Sequence, residues 1–249
     1  MKRRSALGLL IVWMLGAAGC GGASNPQLLV SAAASLKRPF TLYGRSFARA
    51  TARFSFAGSD ALAAQIEQGA KPDVFASANT KLPERLYAEG LVERPAIFAA
   101  NELVLAVPAG SVAVRSLRDL ARPGLKLAIG TPSVPVGGYT RALLARLPAA
   151  ERRAILANVR DVEPDAPGIV GKLSEGAVDA GLLYATDVAA AGGRIDALPI
   201  PASLEPVVAY AAAVVKGTRH HAIAQAFIDG LRYGEGRSDL RAAGFLPPR

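Results

Sequence analysis

Short apolar segments alternate with amphipathic ones along most of this chain, and this alternation limits the folds that it can adopt. Apolar runs of roughly four to eight residues bounded by turn residues are typical of buried strands, whereas apolar residues recurring every three or four positions indicate helices. Leu36, Phe40, Tyr43, Phe47 and Ala50, for example, share one face of a predicted helix. Strands that alternate with helices through short connections predict an α/β fold with mostly parallel sheets.

The predicted elements fall into two groups, which are separated near Pro108 and rejoined near Val207. Strands are predicted near residues 27–31, 53–56, 73–76, 96–107, 125–129, 178–184, 195–200 and 207–215. Helices are predicted near residues 36–50, 60–68, 82–88, 117–121, 138–147, 151–157, 168–174, 222–231 and 238–242. We therefore expect two lobes joined by two crossings, with residues 27–105 plus 206–249 in lobe one and residues 106–205 in lobe two. Exported α/β proteins with two lobes usually close over a ligand, although the fold alone cannot name that ligand.

The amino-terminal segment has the features of a bacterial export signal. Three basic residues at 2–4 precede an apolar run over 6–18, which is shorter than the ~20 residues that a membrane-spanning helix needs. The sequence Ala17-Ala18-Gly19-Cys20 then resembles a lipoprotein box, in which the cysteine becomes the lipidated first residue. We predict a signal peptide over 1–19 and a lipid anchor on Cys20. An ordinary signal peptide with an incidental thiol is the alternative.

Composition and charge exclude several classes of protein. A chain that is 51% hydrophobic and 20% charged can build a core, so disorder is excluded. The net charge of +9 falls to +6 once residues 1–19 leave with their three basic side chains, and the remaining arginines are scattered singly. No dense basic run is interleaved with aromatic residues, so we expect no nucleic-acid partner. One cysteine excludes a multi-cysteine metal site, and two adjacent histidines leave little material for a zinc site or a general base.

Several candidate anion-binding residues stand where predicted helices begin. Ser35, Ser59, the Val136-Gly137 turn and Ala166 each lie immediately before, or in the first turn of, a predicted helix. Helix N-termini present unpaired N–H groups and a partial positive charge, which attract anions. Serine hydroxyls add further donors. For each serine taken alone, a simple N-cap is the alternative explanation.

Four sequence segments carry a more specific pattern. They are SAAASL at 31–36, the segment from FAGSDALAAQIEQGA to PDVFASA at 56–78, VPVGGY at 134–139 and AGLLYATD at 180–187. In this order and spacing they resemble the periplasmic molybdate-binding proteins of ABC transporters, and the resemblance covers residues 28–245. The resemblance implies a type 2 periplasmic binding protein, an α/β fold of two lobes with mixed, mostly parallel sheets and the ligand in the cleft between the lobes.

The same resemblance assigns roles to five residues. It implies that Ser35 and Ser59 donate hydroxyl and backbone N–H groups to the metal oxyanion, and that Val136 and Ala166 donate backbone N–H groups. It places the hydroxyl of Tyr184 on the anion as well, although a core tyrosine at the end of a buried strand is the alternative. The chain departs from the family in the 131–133 segment, which is one residue shorter, in Val136 where alanine is commoner, and in Pro167 beside Ala166.

Proton chemistry separates the candidate anions. Molybdate and tungstate carry no proton at neutral pH, so they suit a site made only of donors, whereas phosphate keeps protons and needs an acceptor. Asp60 and Asp165 adjoin the motifs, but acids in the first turn of a helix are explained by the helix dipole. Sulfate is also unprotonated, so a receptor for sulfate or another tetrahedral oxyanion remains the alternative.

These observations predict a receptor and not an enzyme. We expect it to capture molybdate or tungstate and deliver it to an ABC transporter permease, as a monomer without a cofactor, anchored to the membrane through Cys20 and facing the periplasm or the extracellular side. An exported hydrolase or transferase is disfavoured because no G-x-S-x-G, H-E-x-x-H or phosphate-loop motif is present. A lipoprotein adhesin or scaffold would not require the serine and tyrosine pattern.

Overall fold

The computed structural model of the protein describes residues 25–248. The predicted signal peptide, Cys20 and most of the predicted tether over 20–26 lie outside the described residues. The strands are β1 (Gln27–Ala33), β2 (Thr51–Ala57), β3 (Val74–Ser77), β4 (Ala96–Asn101), β5 (Leu103–Pro108), β6 (Leu127–Gly130), β7 (Val159–Glu163), β8 (Ala180–Tyr184), β9 (Ile195–Leu198) and β10 (Val208–Val214).

The helices follow most of the predicted positions. They are α1 (Lys37–Ser46), α2 (Ser59–Glu67), α3 (Lys81–Ala88), α4 (Pro135–Ala145), α5 (Ala149–Ala157), α6 (Ala166–Ser174), α7 (Ala185–Ala190), α8 (His221–Tyr233) and α9 (Glu235–Ala242). The predicted helix over 117–121 is instead a 3₁₀ turn, and further 3₁₀ turns occupy Ala34–Leu36 and Ala202–Leu204.

The strands form two five-stranded sheets, and we call the parts built on them the first lobe and the second lobe. The first sheet has the order β2-β1-β3-β10-β4 and the second the order β7-β6-β8-β5-β9. The α/β fold with mixed, mostly parallel sheets is confirmed, since four of the five strands in each sheet run in the same direction. β1 and β6 pair in parallel with both neighbours, whereas β10 and β5 pair antiparallel with both of theirs. β5 and β10 enter each sheet from the other lobe, so no crossover helix fixes their direction.

The first crossing between the lobes lies at Glu102, between β4 and β5. From Leu103 onward, β5 pairs only with β8 and β9 of the second sheet. The predicted boundary between residues 105 and 106 therefore falls inside a strand and is corrected to Glu102. The predicted boundary between 205 and 206 lies in the segment before β10 and stays a prediction.

Two elements of the second lobe were not predicted from the sequence. β7 is an edge strand of sequence VRDVE, and its charged residues obscure the apolar pattern that strand prediction uses. α7 follows β8 without a loop and has six residues, too few for helical periodicity to emerge. β7 leads into α6, and α7 follows Tyr184 directly.

Aromatic packing stabilises the first lobe. Phe40 of α1 and Phe227 of α8 contact edge to face with ring centroids 5.7 Å apart, and both side chains are fully buried. Burying one such side chain contributes ~1.5–3 kcal/mol.

Within residues 25–248, no helix combines the length and the apolar character that crossing a membrane requires.

Candidate functional site

The five predicted site residues line one small cavity between the lobes. Its volume is about 10 Å³, far below the ~300–1,000 Å³ of pockets for drug-sized ligands. The first lobe contributes Ala33, Ala34, Ser35, Ala57, Gly58, Ser59 and Ala78, and the second lobe contributes Val134, Pro135, Val136, Asp165, Ala166 and Tyr184. Both lobes must therefore be in place to enclose a ligand here.

Four helical segments begin at this cavity. Ser59 is the first residue of α2, Ala166 is the first residue of α6, and Val136 is the second residue of α4. Ser35 lies in the 3₁₀ turn that leads into α1. The first-turn N–H groups of a helix have no partner within it, so these segments concentrate donors and partial positive charge on one small volume.

Two prolines narrow down which N–H groups of the second lobe can serve a ligand. Pro135 and Pro167 each stand in a first turn and have no N–H, so neither disturbs its helix. The N–H of Gly168 donates to the Asp165 side chain at 2.9 Å. Val136 therefore carries the first N–H of α4, and Ala166 carries the N–H at the start of α6.

Neither serine is a helix cap. The N-cap of α2 is Gly58 and the N-cap of α1 is Leu36, and no side chain caps either helix, so the alternative explanation of the two serines is wrong. Ser59 is buried, and its Oγ accepts the N–H of Ala78 at 3.1 Å. A hydroxyl that accepts in this way still has its own proton to donate.

Tyr184 presents a hydroxyl without a protein partner. Its side chain is 1% exposed at the end of β8, and its hydroxyl makes no hydrogen bond to any described residue. Burial raises the pKa of Tyr184 well above its ordinary value, so the hydroxyl keeps its proton and can donate. Leaving such a group unpaired costs ~1–3 kcal/mol, a penalty that a ligand oxygen in the cavity would remove.

One acid lines the cavity, and two others lie close in the chain to its lining residues. Asp165, which lines the cavity, is the N-cap of α6, and Asp60 in the first turn of α2 accepts a hydrogen bond from Ser133 of the second lobe. Asp187 lies one turn beyond Tyr184 and is nearly buried, and one of its carboxylate oxygens has no partner among the described residues. Burial raises the pKa of Asp187 to about 7, and the charge of Asp165 adds to the shift.

The departures from the family pattern have structural consequences. Ser133 of the 131–133 segment donates to Asp60, which links the two lobes at the edge of the cavity. The Val136 side chain is buried in the second lobe, so valine adds to the core there.

Three polar residues near the site were not predicted from the sequence. The amide nitrogen of Asn101 donates to Thr186 Oγ1 at 2.8 Å and to the Tyr210 hydroxyl at 3.5 Å, and that hydroxyl lies 3.1 Å from Ser35 Oγ. The only signal in the sequence is one asparagine inside the apolar segment 96–107. A polar side chain in a buried segment needs a partner, but the sequence does not identify that partner.

Comparisons with known proteins agree with this geometry. The family of bacterial extracellular solute-binding proteins matches residues 28–246. The molybdate-binding protein ModA of Mycobacterium tuberculosis is 35% identical over 228 residues, which cover 89% of this chain and 85% of that protein. The motif resemblance drawn from the sequence is thereby confirmed.

Two solved structures share the fold. The periplasmic molybdate-binding protein of Azotobacter vinelandii is 24% identical with a TM-score of 0.78, and the match covers 89% of this chain and 100% of that one. The sulfate-binding protein SubI of Mycobacterium tuberculosis is 17% identical with a TM-score of 0.79, and the match covers 89% of this chain and 87% of that one. With its two lobes and the cavity between them, this chain belongs to the family of bacterial extracellular solute-binding proteins.

Proposed function

We propose that this protein captures molybdate or tungstate outside the cytoplasm and delivers it to an ABC transporter permease. The observation that carries the proposal is the unpartnered Tyr184 hydroxyl, buried at the same cavity as the first turns that hold Ser59, Val136 and Ala166. The family membership and the 35% identity to a molybdate-binding protein support it. The anion would be held by hydrogen bonds from Ser35, Ser59 and Tyr184 and from the backbone of Val136 and Ala166.

Hydrogen-bond donors favour an anion without protons. The Ser59 hydroxyl accepts from Ala78 and is free to donate, and the Tyr184 hydroxyl keeps its proton. Asp165 is the acid in the cavity wall, and one of its oxygens already accepts from Gly168. Charge-assisted hydrogen bonds from neutral groups can therefore hold a dianion here without a cationic side chain in the wall.

Titration calorimetry with molybdate, tungstate, sulfate and phosphate tests the proposal. We expect molybdate and tungstate to bind and to raise the melting temperature, because a ligand that binds the folded state stabilises it. Phosphate should bind more weakly, since its proton needs an acceptor and Asp165, the carboxylate in the described lining, already accepts the N–H of Gly168 with one oxygen. Phosphate binding as tight as molybdate binding would contradict the proposal.

Sulfate capture is the second candidate. Sulfate is also an unprotonated tetrahedral dianion, and the fold matches that of a sulfate-binding protein. Sulfate is smaller than molybdate, so a cavity fitted to the larger ion would leave its donors at longer distances from sulfate. Tighter binding of sulfate than of molybdate in the same titration would select this candidate.

Membrane attachment and transport form the remaining part of the proposal. We propose that lipidated Cys20 holds the monomer at the membrane, that closure of the lobes produces the surface that the permease recognises, and that the protein binds its ligand without catalysing a reaction. Metabolic labelling with a fatty-acid analogue should mark the wild-type protein but not Cys20→Ser. Absence of label from both would contradict the anchor and leave the binding proposal intact.

A further inference from the structure

A serine hydroxyl can donate or accept a hydrogen bond, so the role of Ser35 depends on its neighbours. Its Oγ lies 3.1 Å from the Tyr210 hydroxyl, and either oxygen could supply the proton. If Ser35 donated to Tyr210, its proton would be unavailable to an anion. The direction of this one hydrogen bond therefore decides whether Ser35 can serve as a donor in the cavity.

Asn101 fixes the next hydrogen bond in the chain. Its side-chain oxygen accepts the N–H of Glu102 at 2.9 Å, so its amide nitrogen faces the other way. That nitrogen donates to Thr186 Oγ1 at 2.8 Å and to the Tyr210 hydroxyl at 3.5 Å. Because an amide nitrogen donates and does not accept, the Tyr210 oxygen is the acceptor in its contact with Asn101.

Tyr210 must then place its own proton elsewhere. The side chain is completely buried, and its ring packs against Phe98, Tyr184 and Phe245 with centroid distances of 6.2, 5.8 and 5.2 Å. Burial raises the pKa of Tyr210 well above its ordinary value, so the hydroxyl stays protonated. Ser35 Oγ, 3.1 Å away, is an acceptor within hydrogen-bond distance of that proton.

We propose that Tyr210, oriented by Asn101, is a positioning residue that makes the Ser35 hydroxyl a donor to the bound anion. The hydrogen bonds run in one direction, from Asn101 to Tyr210, from Tyr210 to Ser35, and from Ser35 into the cavity. The Ser59 hydroxyl is held as a donor in the same way, because its Oγ already accepts the N–H of Ala78. This inference rests on the proposed function. It adds a reason why the site would prefer unprotonated anions: the Ser35 hydroxyl is held as a donor and cannot accept a hydrogen bond from the ligand.

The chain of hydrogen bonds also reaches both lobes. Asn101 and Tyr210 lie in β4 and β10 of the first sheet, whereas Thr186 lies in α7 of the second lobe, two residues after Tyr184. Asn101 is also the last residue of β4, next to the crossing at Glu102. Asn101, which orients Tyr210, is therefore itself held in part by a hydrogen bond to the second lobe.

A double-mutant cycle tests the inference. Tyr210→Phe keeps the ring, so we expect it to fold and to raise the dissociation constant of molybdate about three- to tenfold, the effect of about one hydrogen bond. In a Ser35→Ala background the same change should have no further effect, because no hydroxyl is left to orient. Equal losses in both backgrounds would show that Tyr210 acts only through packing and would overturn the inference.

Selectivity gives a second readout. In Tyr210→Phe the Ser35 hydroxyl can rotate and accept, so the ratio of phosphate to molybdate dissociation constants should decrease, and an unchanged ratio would overturn the selectivity argument. Tyr43→Phe is the matched control, since it removes a buried hydroxyl that donates to the Phe227 carbonyl far from the cavity, and it should leave both constants unchanged.

Two further outcomes keep the test decisive. If Tyr210→Phe does not fold, Asn101→Leu replaces it, because loss of the amide donor also frees the direction of the Tyr210 hydroxyl. The same non-additivity with Ser35→Ala is then expected, and additivity would overturn the inference. A wild-type protein that binds none of the oxyanions would instead contradict the proposed function, and this inference with it.

Discussion

Gly58 of the first lobe lies directly against the main-chain carbonyl of Pro164 in the second lobe. A Cβ atom on Gly58 would stand 2.5 Å from that oxygen, closer than real Cβ atoms approach. The same glycine is the N-cap of α2, so the contact lies beside Ser59 at the edge of the cavity. The close approach of the two lobes at this point therefore requires a residue without a side chain at position 58.

Gly58→Ala should weaken molybdate binding without unfolding the protein. The added methyl group overpacks a contact between the lobes, which costs about 1–3 kcal/mol and appears as a higher dissociation constant. Gly171→Ala in α6 is the control, because a Cβ there meets no atom within 4 Å. Calorimetry and thermal melting of both variants check the prediction. Unchanged affinity in Gly58→Ala would show that the lobes do not need this close approach.

Ser133→Ala should speed the release of the bound anion. The Ser133 hydroxyl donates to Asp60 across the cleft, and its loss removes about 0.5–1.5 kcal/mol from the closed form. The expected release rate of radiolabelled molybdate is about two- to tenfold higher, with little change in association. Ser116→Ala removes a comparable serine–aspartate bond, to Asp119 within the second lobe, and should leave release unchanged. Equal release rates in wild type and Ser133→Ala would contradict a role in closure.

Tyr184→Phe should weaken the binding of molybdate without destabilising the unliganded protein. Loss of a hydroxyl that donates to the anion costs about 1.5–3 kcal/mol, or roughly ten- to a hundredfold in the dissociation constant. Without ligand, the variant should melt at the same temperature as wild type or higher, because an unpartnered buried hydroxyl has been removed.

Tyr43→Phe should behave in the opposite way to Tyr184→Phe, since its hydroxyl is bonded to Phe227 and lies away from the cavity. It should lower the melting temperature and leave the affinity unchanged. Calorimetric titration and melting curves of both variants distinguish these patterns. Wild-type affinity in Tyr184→Phe would remove the hydroxyl from the site.

Asp187→Asn should stabilise the unliganded protein near neutral pH. In the folded state burial raises the pKa of Asp187 from 3.8 to about 7, so between these values the folded chain holds a proton that the unfolded chain has released. Stability therefore falls as pH rises from about 4 to about 7 and changes no further above it. The difference in unfolding free energy between variant and wild type should grow over this range to roughly 2–4 kcal/mol. Chemical denaturation at several pH values measures both unfolding free energies. A difference between variant and wild type that stays the same at every pH would contradict the prediction.

The sequence by itself determined most of the local elements and the candidate donors. Alternating apolar segments predicted the strands and helices of an α/β fold, because burial of one face produces a periodicity that is visible in the residue order. Ser35, Ser59, Val136 and Ala166 stand at the starts of predicted helices, and the resemblance of the surrounding motifs to molybdate-binding proteins is what selected them as candidate donors. The strand that ends at Tyr184 was predicted from its run of apolar residues, which is also a local pattern.

Only the tertiary structure decided how distant segments meet. The antiparallel direction of β5 and β10, the crossing at Glu102 and the contact of Gly58 with Pro164 depend on pairings between residues far apart in the chain. The same holds for the hydrogen bonds of Asn101 and Tyr210, whose partners lie about 85 to 175 positions away. Sequence periodicity records whether a side chain is buried, whereas the partner of a buried polar group is set by the packing of elements that the local pattern does not specify.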